Sequence, residues 1–201
     1  MAAILGGVVA IVLTLPFAAA FFLAYPGENA LPIWFDSVEP RLESQLTFAD
    51  PVSVYETYGR LYNVVYVLFL PLVLAIHRSR HALRSRLEQR AFVVLSSGLV
   101  TTTLGVAGDY WGNGIGFPLE VLGLLLMIFG VSLWGLALLR SAAPVRWAWL
   151  FVGCGPGALG TSLLAGHIPS GPTLAFACVW LVVGVVVMAG GDAKPEWTAA
   201  R

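Results

Sequence analysis

Charge is scarce in this chain. Of its 201 residues only 11% are Asp, Glu, Lys or Arg, and 58% are hydrophobic. Soluble domains carry roughly 25% charged and about 45–50% apolar residues. The shortage excludes an ordinary soluble globule, a disordered chain and a nucleic-acid binder. Net charge is also lacking, because eleven basic residues balance eleven acidic ones. No overall field selects a partner, so only the placement of charge carries information. Cysteine is nearly absent. Cys154 and Cys178 both fall inside apolar runs, make neither a zinc spacing nor a disulfide framework, and are expected as small buried residues in helix packing.

What remains is long apolar runs, with a mean hydropathy of +0.84. A bilayer core about 30 Å thick needs roughly 20 apolar helical residues. Six stretches reach that length, at about 3–25, 58–77, 91–110, 117–139, 145–166 and 172–190. Lipid cannot hydrogen-bond an open backbone, so each is read as a helix. The expected fold is all-α, a polytopic membrane protein with a six-helix bundle and a short amphipathic segment on the outer surface. Alternating ten-residue segments of a β-barrel are missing. Ala18–Ala20 offers small residues for signal-peptide cleavage. However, MAAILGG has no Lys or Arg, and the run continues through Phe21, Phe22 and Leu23, so the first span is expected to be retained.

Basic residues concentrate on alternate connections. HRSRHALRSRLEQR, between the second and third spans, holds Arg78, Arg80, Arg84, Arg86 and Arg90. Arg140 and Arg146 lie between the fourth and fifth spans, and Lys194 and Arg201 in the 191–201 tail. That places nine on one side, against Arg41 and Arg60 on the other. The positive-inside rule puts both termini in the cytoplasm and the acidic connector 26–57 (Glu28, Asp36, Glu39, Glu43, Asp50, Glu56) outside. Ten Arg to one Lys, with abundant Ala, Gly and Val, suggests a GC-rich bacterial genome and hence a bacterial cytoplasmic membrane. The five clustered Arg are expected to meet anionic lipid headgroups. His77 and His81 stand one turn apart, but no third metal ligand is near them. No metal and no cofactor is expected.

Outside the bundle, Leu42, Leu46 and Ala49 suggest a short amphipathic helix over 38–49, with Pro40 near its start and Trp34 and Phe35 at the interface. It reads either as a surface connector or as a lid over an outer cavity. Asp50-Pro51 can stop it and cap the next helix. Gly153, Gly157 and Gly160 offer a small-residue face for close helix contact, and Pro16, Pro71 and Pro156 offer kinks. Ala-Gly-Asp109 and Ala-Gly-His167 recur at an offset of 58, a trace of a duplicated helical hairpin.

Candidate functional groups gather in the outer half. Tyr55, Tyr58, Tyr62 and Tyr66 form one stripe that Phe69 continues. Glu56, Arg60 and Asn63 form a second stripe roughly 120° away. Together they are read as a face for a ligand or partner. Asp109, Glu120 and His167 lie at the same level. Glu120 suits the first turn of a helix and His167 the last turn of one. Asp109, at a helix C-terminus, meets an unfavourable dipole and calls for a partner such as Arg60 or His167. Ser170, three residues after His167, reads as a helix cap. The inner half has almost no ionisable group, which opposes a proton or ion path across the membrane.

Three functions follow as expectations. The first is a membrane subunit or binding module whose outer half contacts a lipid-like ligand, another membrane protein or a second copy. The second is an intramembrane enzyme acting on a lipid or isoprenoid, with Asp109, Glu120 and His167 as acid, base and orienting groups. The third is a small-molecule transporter, for which Asn63, Thr101, Thr102, Thr103 and Ser132 are the polar supply.

Overall fold

A computed structural model describes residues 1–26, 31–112 and 114–189. Glu28, Lys194, Arg201 and the 191–201 tail lie outside the described residues. The fold is all-helical: α1 (Ala2–Ala24), α2 (Phe35–Leu46), α3 (Pro51–Ser79), α4 (Arg86–Tyr110), α5 (Phe117–Leu139), α6 (Ala148–Ala165) and α7 (Ser170–Met188). A single 3-10 turn, His81–Leu83, joins α3 to α4. All but α2 are long and apolar enough to cross a membrane.

Local chemistry extends two spans beyond their apolar lengths. Asp50 Oδ1 accepts the Ser53 amide at 3.1 Å and Pro51 takes the first helical position, so α3 starts at 51 rather than 58. The bonds from Ser53 hold the Asp50 carboxyl below the usual carboxylate range. Ser85 Oγ accepts the Glu88 amide at 3.1 Å, so α4 starts at 86 rather than 91. The connector therefore ends at Asp50. Within it, α2 begins at Phe35 instead of 38, which puts Pro40 in its interior and leaves Ala49 beyond its end. Phe35 is buried against Phe22, and the Trp34 indole donates to Leu164 O at 2.9 Å. These bonds strap α2 to the ends of α1 and α6.

The six long helices close a ring in the order α1, α3, α4, α5, α6, α7, each packed on its two neighbours. Aromatic rings fill the centre. Trp134, Phe151, Trp180 and Phe69 follow one another at centroid spacings of 5.5, 5.5 and 5.3 Å. Trp180 donates its indole N–H to Phe69 O at 3.0 Å, tying α7 to α3 across the ring.

The tightest pair is α4 with α5. A Cβ on Gly98 or Gly105 would lie 2.7 Å from the Met127 amide nitrogen or 2.2 Å from that of Glu120. From the other helix, Gly123 and Gly130 meet Thr102 and Leu95 at 2.3 and 2.6 Å. Backbones in such contact gain dispersion that needs no water to drive it. The expectation for α6 is corrected. Gly153 and Gly160 have open space around them, and Gly157 meets only Ala175 Cβ at 3.6 Å. Spacing alone does not tell a lipid-facing stripe from a helix-facing one. Cys154 is buried as expected, whereas Cys178 is exposed.

Helix direction puts the α3–α4 and α5–α6 connections at one end, the basic end. Arg80 departs from the lipid-contact expectation there. It is 7% exposed, and its Nε donates to the fully buried Glu88 at 2.9 Å. Its other nitrogens donate to Ser141 Oγ at 2.8 Å and Ala143 O at 3.1 Å. The guanidinium thus pins the two basic connections together and presents no free charge. Arg84 is half-buried and bonds His77 Nε2 and Gln89. Arg78, Arg86 and Arg90 are exposed. His77 stacks flat on Phe92, with ring centroids 3.5 Å apart.

Candidate functional site

The opposite end carries a cleft of about 440 Å³ where four long helices meet the connection between α6 and α7. Phe21 and Tyr25 come from α1 and its cap, Tyr55 from the first turns of α3, and Asp109 from the last turn of α4. Phe117 opens α5, and Gly166, His167 and Ile168 connect α6 to α7. Gly166 ends α6 with a positive φ of 65° and donates to Ser162 O, a turn open to glycine at little cost. That turn aims His167 inward.

His167 is held on every side. Its Nδ1 lies 2.8 Å from Ser170 Oγ, and its Nε2 lies 3.4 Å from the Tyr55 hydroxyl. Tyr55 in turn bonds the Tyr110 hydroxyl at 2.8 Å. Phe17 and Phe21 pack on the imidazole at centroid distances of 4.8 and 4.6 Å. With 3% of its surface exposed, the ring has no water to solvate a charge, and burial pushes its pKa down to about 3. His167 is therefore a neutral hydrogen-bonding group. Ser170 is not the cap expected of it. Pro169 occupies the cap position, and Ser170, the first residue of α7, is fully buried with its hydroxyl on His167.

Of the three separated candidates, Asp109 and His167 share the cleft. Glu120 lies behind the wall, outside the lining, with its backbone against Gly105 one turn before Asp109. It is fully buried, and neither carboxylate oxygen has a hydrogen-bond partner among the described residues. The contact between Gly105 and the Glu120 backbone pulls the residue this deep. The first-turn dipole accounts for an acid at this position but not for its complete burial. The two ends of the faint repeat, Asp109 and His167, thus meet in space. Neither Arg60 nor His167 hydrogen-bonds Asp109 among the described residues. Arg60 donates to Glu56 at 2.9 Å and to Tyr110 O at 2.9 Å.

The tyrosine stripe is corrected as a ligand face. Only Tyr55 reaches the cleft. Tyr62 and Tyr66 are fully buried between α1, α3 and α7, with their hydroxyls satisfied internally. Tyr62 bonds Thr14 at 3.1 Å, and Tyr66 bonds Thr173 at 2.6 Å. Thr173 donates its own proton to Pro169 O, so Tyr66 is the donor in that pair. Tyr58 is buried too and donates to Gln45 O at 3.1 Å. The second stripe stays nearer the surface, with the Glu56 and Arg60 side chains 45% and 43% exposed. Asn63 is half-buried, and its Oδ1 has no partner among the described residues. As for the lid, α2 supplies no residue to the cleft. It lines a separate groove of about 330 Å³ with Leu23, which leaves it a connector.

Sequence reasoning passed over Phe17, Phe21 and Tyr25. Their spacing of four, an aromatic stripe on the first span, was the available signal. Comparison with protein-family models, with curated proteins and with solved structures gives no match.

Proposed function

We propose that this chain is a multi-pass protein of a bacterial cytoplasmic membrane, and a binding module that receives a lipid-like ligand in the cleft. The positive-inside rule supports cytoplasmic termini and an outward-facing cleft, because the cleft lies opposite the connections that carry Arg78–Arg90 and Arg140–Arg146. One observation carries the binding reading. A concave, mostly aromatic surface with a few convergent polar groups opens at one end of a bundle whose centre is otherwise packed. The packed centre also speaks against a transporter. Thr102, Thr103 and Ser132 spend their hydroxyls on bonds within or between helices.

A photocrosslinker placed at position 117, half-exposed at the cleft mouth, tests the reading against one at Val93 on the outer surface of α4. The expected result is a discrete small-molecule adduct at 117 and bulk phospholipid at 93. Identical adducts at both sites would overturn it, and a protein adduct at 117 would replace the ligand by a partner. Orientation is tested with Gln45→Cys in a chain lacking Cys154 and Cys178. An impermeant maleimide should label it from outside, and labelling only from the cytoplasm reverses the topology.

The enzyme reading is favoured by one feature, the presence of Asp109 and an oriented His167 on the same cleft. Ser170 is too buried to serve as a nucleophile there. Asp109→Asn and His167→Gln would then abolish turnover of an outer-leaflet lipid while leaving assembly intact.

A further inference from the structure

We propose that the cleft selects an organic ammonium cation, presented either free or as a lipid headgroup. This rests on the cleft being a ligand site. Its walls carry aromatic rings set at steep angles to one another. Tyr25 and Tyr55 meet at 90° with centroids 5.6 Å apart, and Phe21 meets Tyr55 at 54° and 5.6 Å. A lining rich in aromatic rings attracts a weakly hydrated cation through the negative charge on ring faces. Phe117 adds a fourth ring at the mouth.

The charges have one sign. Asp109 lines the cleft and Glu120 lies behind it with both oxygens unpartnered among the described residues. Among the described residues, no Lys or Arg lines the cleft. The one base in it, His167, is neutral, its nitrogens facing Ser170 and Tyr55. The Arg60 guanidinium bonds Glu56 and the Tyr110 carbonyl. An anionic ligand would meet the Asp109 carboxylate and no Lys or Arg among the described lining residues. A neutral apolar ligand would fill the space but leave the Asp109 carboxylate at its wall without an ion-pair partner among the described residues. A methylated ammonium satisfies both features. It loses little hydration on entry, lies against the rings and supplies the missing positive charge.

The test uses the full chain in an uncharged detergent free of added lipid, with three probes. These are choline, its uncharged isostere 3,3-dimethyl-1-butanol, and acetate. At tenfold excess over Kd, choline is expected to raise the thermal midpoint by about 3–6 °C. The isostere and acetate should leave it unchanged. Asp109→Asn should reduce the choline shift severalfold. Glu120→Gln gives the same reading if that variant fails to fold, and Phe117→Ala removes an exposed wall with little risk to the core. An equal shift from the isostere overturns the cation and leaves the cleft as an apolar ligand site. Stabilisation by acetate overturns the cation as well. If no probe shifts the midpoint, the cation falls while the crosslink at 117 still decides the cleft. Vesicles name the source. Loss of the choline shift in phosphatidylcholine but not in phosphatidylglycerol means a headgroup competes, and retention in both means a free cation. Either result supports the cation chemistry.

Discussion

Acid should unfold this protein through His167. The imidazole is enclosed by Phe17, Phe21, Tyr55 and Ser170, and Asp109 is the charged group that shares its cleft. Burial holds its pKa at about 3, against 6.5 for an exposed histidine. A histidine whose folded pKa is depressed binds fewer protons in the native state than in the unfolded state. Stability is then complete above pH 6.5 and is lost as the pH falls from 6.5 toward 3. The slope in that window is about 1.4 kcal/mol per pH unit. Moving from pH 6.5, where the unfolded imidazole is already half-protonated, to 4.5 therefore costs about 2.3 kcal/mol, which for a chain of this size is roughly 5–9 °C in Tm. The assay is the thermal midpoint in detergent across pH 7.5–4.5, for the wild type and for His167→Gln. The variant retains hydrogen-bonding groups but does not titrate, so carboxylates common to both chains cancel in the difference. The wild-type midpoint should fall more steeply below pH 6.5. Parallel curves would refute a buried neutral His167.

Other perturbations probe the scaffold. Gly105→Ala puts a methyl 2.2 Å from the Glu120 nitrogen and should cost about 1–3 kcal/mol, whereas Gly153→Ala meets open space and should be neutral or gain up to about 1 kcal/mol. Chemical denaturation in detergent separates the two, and equal effects would contradict the glycine contact between α4 and α5. Arg80→Ala strands Glu88 in the interior and should cost about 3–5 kcal/mol, most of it recovered in the double variant with Glu88→Gln. Tyr66→Phe removes a donor from Thr173, whose own proton still reaches Pro169 O, so the loss should be only about 0.5–1.5 kcal/mol.

Hydropathy and length sufficed to locate six membrane-length helices, because a lipid-spanning helix is defined by those two quantities. The ends of α3 and α4 moved outward because Asp50 and Ser85 cap polar turns that hydropathy does not register. Periodicity revealed the Tyr55–Tyr66 stripe but not its direction. A stripe of tyrosines suits a ligand face or a core equally, and only the hydroxyl partners Thr14 and Thr173, far away in the sequence, distinguish them. The glycines went astray for the same reason. Gly153 and Gly160 face outward, while Gly98, Gly105, Gly123 and Gly130 carry the close contacts. The level of Asp109 and His167 was legible from the order of spans. Their meeting in one cleft depends on which helices neighbour one another, a matter of ring order that no local pattern encodes.

The cleft opposite the basic end stands or falls as a ligand site on whether it holds a molecule in the native membrane. Native mass spectrometry of the protein extracted from its own membrane in mild detergent tests it most directly. The expected result is a stoichiometric small-molecule adduct on the wild type that is lost in Asp109→Leu. A bare chain, or an adduct retained unchanged in that variant, would contradict it.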